Sequence, residues 1–259
     1  MGRAGKWIGS GEMTRPRTFP ASRASAAVAA TIVLSGCSGP RSMLDPAGPS
    51  AEAIAQIWWV MFTGAVVIWA LVVAFLLVAL LRGENTRELA KPQRLIIGGG
   101  LVLPTVVLGA LLVWGTLDSA RLTGVGERPE AVIEVTGHQW FWEFRYLDGD
   151  GNAVATTRDV LAMPLAQMVE FRVTSADVIH SFWIPRLGGK MDAIPGRVNR
   201  LRLRADHDGR GTPIAGQCAE LCGMSHAHMH FDVQVLEEGE WDAWLRANAL
   251  DAQPAGSGT

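Results

Sequence analysis

Between Gly216 and His230 the chain reads GQCAELCGMSHAHMH. Cys218 and Cys222 stand four apart, His226 follows four later, and Met229 three beyond that. Thiolate, imidazole and thioether form a soft ligand set, which suits copper better than calcium or magnesium. Two cysteines this close allow each sulfur to bridge two copper ions, closing a compact two-copper, two-sulfur core. Such a core needs end ligands. His226 and Met229 supply part of them, and His180, in ADVIHSFWIP, is the best source of another imidazole. Two other readings of the cysteines stay open: a disulfide outside the cytoplasm and a structural zinc site. Neither explains Met229 together with His180. His228 and His230 alternate with Met229 and are expected to face away from a metal that Met229 contacts. His207, in a polar DHDG turn, is expected at the surface.

Four separated segments, GHQWFWEF at 137–144, DVIHSFWIP, GGKMDAIPGR and GQCAELCGMSHAHM, occur in an order that resembles subunit II of the haem–copper cytochrome c oxidases. The resemblance runs from the first apolar stretch to about Trp244. It implies that Cys218 and Cys222 are the bridging thiolates of a binuclear CuA centre. His180 and His226 would be its terminal imidazoles, Met229 a weak axial ligand, and Glu220 a ligand through its backbone carbonyl. The Glu220 carboxylate would face a magnesium or manganese ion at the contact with subunit I. Trp140 would be the exposed ring through which electrons arrive, with Asp177 and Asp192 contributing to cytochrome c docking. The implied partners are subunit I, carrying haem and CuB, subunit III, cytochrome c and membrane lipid. The implied fold is a cupredoxin-like Greek-key sandwich or barrel. Relatives carry a glutamate a few residues before the Leu-Pro of the second span, at the mouth of a proton channel; Ile97 stands here instead.

Positioning those residues is the task of the remaining chain. It has 259 residues, 49% of them apolar. Arg3, Lys6, Arg15, Arg17 and Arg23 precede a short apolar run, Ala24 to Leu34, which ends in Leu34-Ser35-Gly36-Cys37. That is the pattern of a signal peptide with a lipoprotein cleavage box, placing the boundary at 1–37 with Cys37 as the lipidated residue. Residues 38–56 then read as a linker. Ile57–Leu81 and Leu95–Leu117 are uncharged runs of 25 and 23 residues, long enough to span a membrane as a helical hairpin. Trp58, Trp59 and Trp114 sit near their ends as interfacial aromatics do. The loop 82–94 carries Arg82, Arg87, Lys91 and Arg94 against Glu84 and Glu88. The positive-inside rule puts it in the cytoplasm, and everything after the second span outside, at a bacterial inner membrane. Gly98-Gly99-Gly100 gives a small-residue face for a partner helix.

From Arg128 the pattern changes to period two. Ala131–Thr136, Gln139–Tyr146, Met168–Thr174, Val198–Arg204 and Met229–Leu236 read as strands of an antiparallel sandwich. Phe141 and Trp142 are expected in its core, and His138 as a hydrogen-bonded structural imidazole. Glu237–Leu250 reads as a helix presenting Trp241, Trp244 and Leu245, closing a domain over 128–250, with 251–259 a disordered tail. From Glu127 onward there are 12 basic and 19 acidic residues, a formal charge of −7, which fits either a solubilising surface or the steering of a basic redox partner; the resemblance implies the second, with no nucleic-acid partner. Two further functional classes remain as alternatives. One is a membrane-anchored copper carrier or assembly protein, and the other a copper-free structural subunit of a quinol oxidase.

Overall fold

The computed structural model describes residues 37–81, 92–123, 128–209 and 211–250. The expected signal segment, most of the loop 82–94 and the tail 251–259 lie outside the described residues.

Two long apolar helices come first. Pro49–Leu81 has a mean hydropathy of 3.0 and Gln93–Leu117 one of 2.4, and neither buries its apolar window within the chain. The first helix begins at Pro49 rather than at Ile57, because alanines and Glu52 extend it beyond the uncharged run. Proline suits a first helical position, where its missing N–H has no partner to lose. The second span is irregular. A helical turn Pro92–Leu95 leads into a π-helical segment Ile96–Val102, then α-helix from Leu103 to Thr123. The three glycines fall in the π-helical part, where open space around them leaves the backbone uncovered.

The stretch 38–48 is not a free linker. Ala47 N–H donates to Arg186 O at 2.7 Å and Ala51 N–H to Leu187 O at 3.2 Å. Arg186, almost fully buried, donates to the Asp45 carbonyl at 2.7 Å and pairs with its carboxylate at 3.3 Å. A side chain at Gly48 would collide with the Arg204 carbonyl. This strap fixes the β domain to the start of the first span.

The β domain holds two five-stranded sheets face to face, ordered β3-β2-β1-β5-β8 and β4-β10-β9-β6-β7. The strands are β1 Ala131–His138, β2 Phe141–Leu147, β3 Ala153–Arg158, β4 Val160–Pro164 and β5 Met168–Ser175, followed by β6 His180–Trp183, β7 Met191–Ala193, β8 Asn199–Arg204, β9 Ile214–Cys218 and β10 His230–Leu236. Pairing is mixed rather than wholly antiparallel: β1 runs parallel to β5, and β4 parallel to β10. The crossing from β3 to β4 between sheets produces this, since β5 returns to the first sheet beside β1. Alternation puts Ile133, Val135, Trp142, Phe144, Tyr146, Phe171 and Val173 inside, all at most 2% exposed. Phe182 and Phe231 of the opposite sheet stack at 5.2 Å in the centre. Each such side chain contributes about 1.5–3 kcal/mol by leaving water.

The C-terminal helix, Glu238–Ala247, is shorter than the expected Glu237–Leu250 and starts in a capping box between Glu237 and Glu240. It lays Trp241 and Trp244 on Tyr146 at 5.9 and 4.8 Å. Tyr146 accepts the Ala162 N–H at 2.9 Å, and burial pushes its phenol up to about 12.

Glu170 is a buried charge on β5, its side chain only 4% exposed. Burial alone would raise its carboxyl. Hydrogen bonds from Arg202 and Arg172, with the charge of Arg200, outweigh that and hold it below the usual carboxylate range. The stabilisation is therefore present above the unfolded value of about 4.3 and is lost as pH falls through the lower folded value. Glu170→Gln is expected to cost about 2 kcal/mol in urea unfolding at neutral pH. The gap from wild type should close in acid; a gap that stays constant from pH 7 to pH 3 would contradict the assignment.

Candidate metal centre

Strand β9 ends at Cys218, and the loop from Ala219 to Met229 returns into β10. Cys218 N–H to Met229 O at 2.9 Å closes the loop, and Ala219 N–H to Ser181 O at 2.9 Å ties it to β6. Gly223 has φ +120°, a conformation that an L side chain rarely adopts. Gly216 admits the Phe231 ring against the backbone, so β9 and β10 approach closely beneath the loop. His180 enters from the opposite segment, at the start of β6. Its ring lies over Gly137 of β1, where a Cβ would stand 2.8 Å from Cδ2.

These segments bring the donors together. Cys218 Sγ lies 3.8 Å from Cys222 Sγ and 3.9 Å from His180 Nδ1. Cys222 Sγ lies 3.6 Å from His226 Nδ1 and 3.8 Å from Met229 Sδ. The Glu220 carbonyl points at Cys218 Sγ from 3.2 Å, while the Glu220 side chain is exposed. His180 is 0%, Met229 1%, Cys222 3% and Cys218 6% exposed. The cysteines are free thiols, which removes the disulfide reading for this conformation.

The spacing fits one shared metal site. Two sulfurs about 2.3 Å from a common tetrahedral ion stand about 3.7 Å apart. Burial and the neighbouring Cys218 push the Cys222 thiol up, so a pair of thiolates here would be favoured by cations between them. With a thioether completing the set, the donors suit copper.

Asp177 orients His180. Its Oδ1 lies 2.8 Å from His180 Nε2, which puts the proton on Nε2 and leaves the Nδ1 lone pair facing the sulfurs. Burial would raise the Asp177 carboxyl. Hydrogen bonds from His180, from Val178 N–H and from Gln139 N–H outweigh it and hold it below the ordinary range. This role is legible in the Asp-x-x-His spacing, yet the sequence reading gave Asp177 to docking alone. Trp142 supports the same ring edge-on at 5.9 Å.

Trp140 is 37% exposed at the β1–β2 turn, and its indole N–H donates to the Cys222 carbonyl at 3.2 Å. Its neighbour Gln139 lines a groove of about 590 Å³ together with Val178, Ile179, Asp192, Glu220 and Leu221. Asp192 accepts the Ser181 hydroxyl at 2.8 Å and pairs with Lys190 at 3.3 Å, so its carboxyl is lowered by Ser181 first and Lys190 next. Phe141 departs from its expected core position. It lies on the outer face, between the His138 ring at 4.5 Å and the Arg158 guanidinium at 3.7 Å. His138 is held by that stack, and its Nε2 has no hydrogen-bond partner. His228 and His207 are exposed, and among the described residues the metal-competent group of His, Cys, Asp and Glu is His180, Cys218 and Cys222; His226 stands outside it, beside Cys222 alone, and so does His230. Cys37 is half-buried, its carbonyl taking the Ser42 hydroxyl at 2.7 Å.

The fold and the cluster define a β-sandwich protein that carries two helices long and apolar enough to cross a membrane and a His/Cys/Cys cluster whose donors fit copper. A family profile described as the periplasmic domain of cytochrome c oxidase subunit II matches residues 149–236. Cytochrome c oxidase subunit 2 of Alkalihalophilus pseudofirmus is 33% identical over 237 residues, covering 86% of this chain and 67% of that one. The subunit 2 of Cereibacter sphaeroides is 32% identical, covering 80% of this chain and 84% of its own length. The crystal structure of the periplasmic domain of subunit II of cytochrome oxidase (CoxB) of Bradyrhizobium japonicum aligns with a TM-score of 0.43 at 31% identity, over 47% of this chain and 95% of that one. The chain belongs to the cytochrome c oxidase subunit 2 family.

Proposed function

We propose that this chain is the electron-accepting subunit of a respiratory haem–copper cytochrome c oxidase, and that its cluster holds a binuclear CuA centre. The observation that carries the reading is the donor set itself. Two buried thiols 3.8 Å apart are flanked by an imidazole on each side, with a thioether behind one sulfur. Cys218 and Cys222 would hold the two ions as thiolates, His180 and His226 through their imidazoles, and Met229 and the Glu220 carbonyl as weaker donors. When bound, such a centre takes up and releases one electron spread over two metals.

The rest is work for the protein. Asp177 fixes the His180 tautomer and ring plane, and the β9–β10 loop is tied to β6 and β10 by main-chain bonds, so the donors move little when the charge changes. Burial of His180, Met229 and both cysteines keeps water from the inner side of the cluster, with half-buried His226 at its outer edge. Trp140, exposed and bonded to the Cys222 carbonyl, provides the contact through which a docked cytochrome c delivers electrons. Asp177 and Asp192 supply negative charge on that rim for a basic donor. Haem in subunit I would be the onward acceptor, with reduction of oxygen and coupled proton translocation belonging to that subunit and subunit III completing the assembly. The exposed Glu220 carboxylate would ligate magnesium or manganese at the contact with subunit I. On this reading the β domain faces outward from a bacterial inner membrane, which the basic loop 82–94 supports by the positive-inside rule, and Cys37 carries lipid.

Copper counting and electron paramagnetic resonance on the purified oxidase test the centre. Two coppers per chain with a seven-line mixed-valence pattern are expected. One copper with a four-line pattern, or zinc alone, would replace this reading with that of a copper carrier. Trp140→Phe retains an aromatic ring but removes the indole N–H. It is expected to keep the copper content and spectrum while losing most of the rate of reduction by cytochrome c in stopped flow. An unchanged rate would take Trp140 out of the path.

A further inference from the structure

Gln139 lies between the two halves of the copper site and touches both. Its main-chain N–H donates to Asp177 Oδ2 at 2.7 Å, and the other oxygen of that carboxylate binds His180 Nε2 at 2.8 Å. Its side-chain amide donates to the Cys222 carbonyl at 2.8 Å. The His180 imidazole and the Cys222 thiol both face the cluster on their inner sides. Outside the cluster, then, a hydrogen-bonded chain runs His180, Asp177, Gln139, Cys222 and closes a ring around it.

The ligands need such a link. His180 belongs to β6, while both cysteines and His226 belong to β9 and the loop after it. In the loop itself, Leu221 and Met224 are 78% and 94% exposed, so little packing holds its outer side. Gly223 leaves the space that the link occupies: a Cβ there would meet Gln139 Nε2 at 3.0 Å and the Trp140 ring at 3.1 Å. Gln139 and Trp140 also donate to the same carbonyl, at 2.8 and 3.2 Å. The strut that sets the loop therefore also sets the carbonyl on which the indole rests.

We infer that Gln139 is a positioning residue that locks the Cys222 loop to the His180 side and holds the Trp140 indole in register with the site. The inference rests on the reading of the cluster as the copper centre. Gln139 does not touch the metal donors; its effect passes through the Cys222 carbonyl and through Asp177.

The test uses the full chain in its assembled oxidase, with Gln139→Met, which keeps length and loses the donor, and Gln139→Asn, which keeps the amide but falls short. Gln139 is exposed, so both variants are expected to fold with wild-type circular dichroism. Loss of an outer partner of a metal ligand costs about 10–100-fold in metal affinity. Both variants should release copper to a chelator about tenfold faster, with altered hyperfine splitting. In copper-free protein, hydrogen exchange of the Ala219 and His226 amides should rise in both variants, a readout independent of metal. Wild-type release rate, spectrum and exchange in both variants would overturn the inference. Wild-type protein that fails to bind two coppers would instead overturn the proposed function, and the exchange measurement on copper-free protein would still decide the role of Gln139.

Discussion

Cys222→Ser is expected to abolish copper binding and, with it, reduction by cytochrome c, while leaving the β-sandwich folded. Cys222 is the hub of the donor set: Cys218 Sγ, His226 Nδ1 and Met229 Sδ all lie between 3.6 and 3.8 Å from its sulfur. Serine is close to cysteine in volume, so packing changes little, but its hydroxyl is a hard, poorly ionised donor that does not bridge soft metals. Removing a mere outer partner of a ligand costs 10–100-fold in metal affinity, so loss of the hub should exceed about 100-fold. Copper per chain measured by mass spectrometry on the purified complex checks this, with circular dichroism confirming the fold. Full copper retention would mean that the sulfurs are structural and that the centre lies elsewhere.

Trp142→Ala carries the largest expected cost in stability. The indole is fully buried on β2 and meets His180, Phe182 and Phe231 edge-on at 5.9, 5.6 and 6.0 Å. Its removal opens a cavity between the sheets that the surrounding rings cannot fill without leaving their rotamers. The cost is about 3–5 kcal/mol, a large share of the 5–15 kcal/mol that a typical domain holds. The effect reaches the site because the cavity lies beside the His180 ring. Copper release should accelerate together with unfolding. Trp142→Phe should be much milder, since the indole N–H has no hydrogen-bond partner and its loss leaves nothing unpaired. Urea unfolding of the full chain in detergent checks both variants. A cost below about 1 kcal/mol for alanine would show that the ring does not bear the packing that its burial indicates.

The two predictions differ in how far the sequence alone supports them. Cys218, Cys222, His226 and Met229 lie within one short loop, and their chemistry follows from residue type and spacing, so the donor set was legible before any fold was known. The spans were legible for a similar reason: length and absence of charge are local properties. Strands with one face covered, such as β1, β2 and β10, announced themselves by alternation. Strands β4, β6 and β9 did not, because their burial patterns run almost unbroken and period two disappears.

Tertiary structure decided what depends on segments far apart in the chain. The parallel pairing of β1 with β5 arises from a sheet crossing, which side-chain alternation does not encode. The strap before the first helix looked like a linker because its Pro, Gly and Ser content says nothing of Arg186, a residue 141 positions away that holds the Asp45 carbonyl. Asp177 read as surface charge until His180 was seen against it, and Phe141 read as core until Arg158 and His138 were found on either side. Gln139 shows the limit most clearly: its amide meets a carbonyl 83 residues away. The sequence determined which atoms are fit to bind metal, since ligand chemistry belongs to the residue. Only the fold decided which atoms hold those ligands still, since that depends on which distant backbones the packed sheets bring within hydrogen-bond reach.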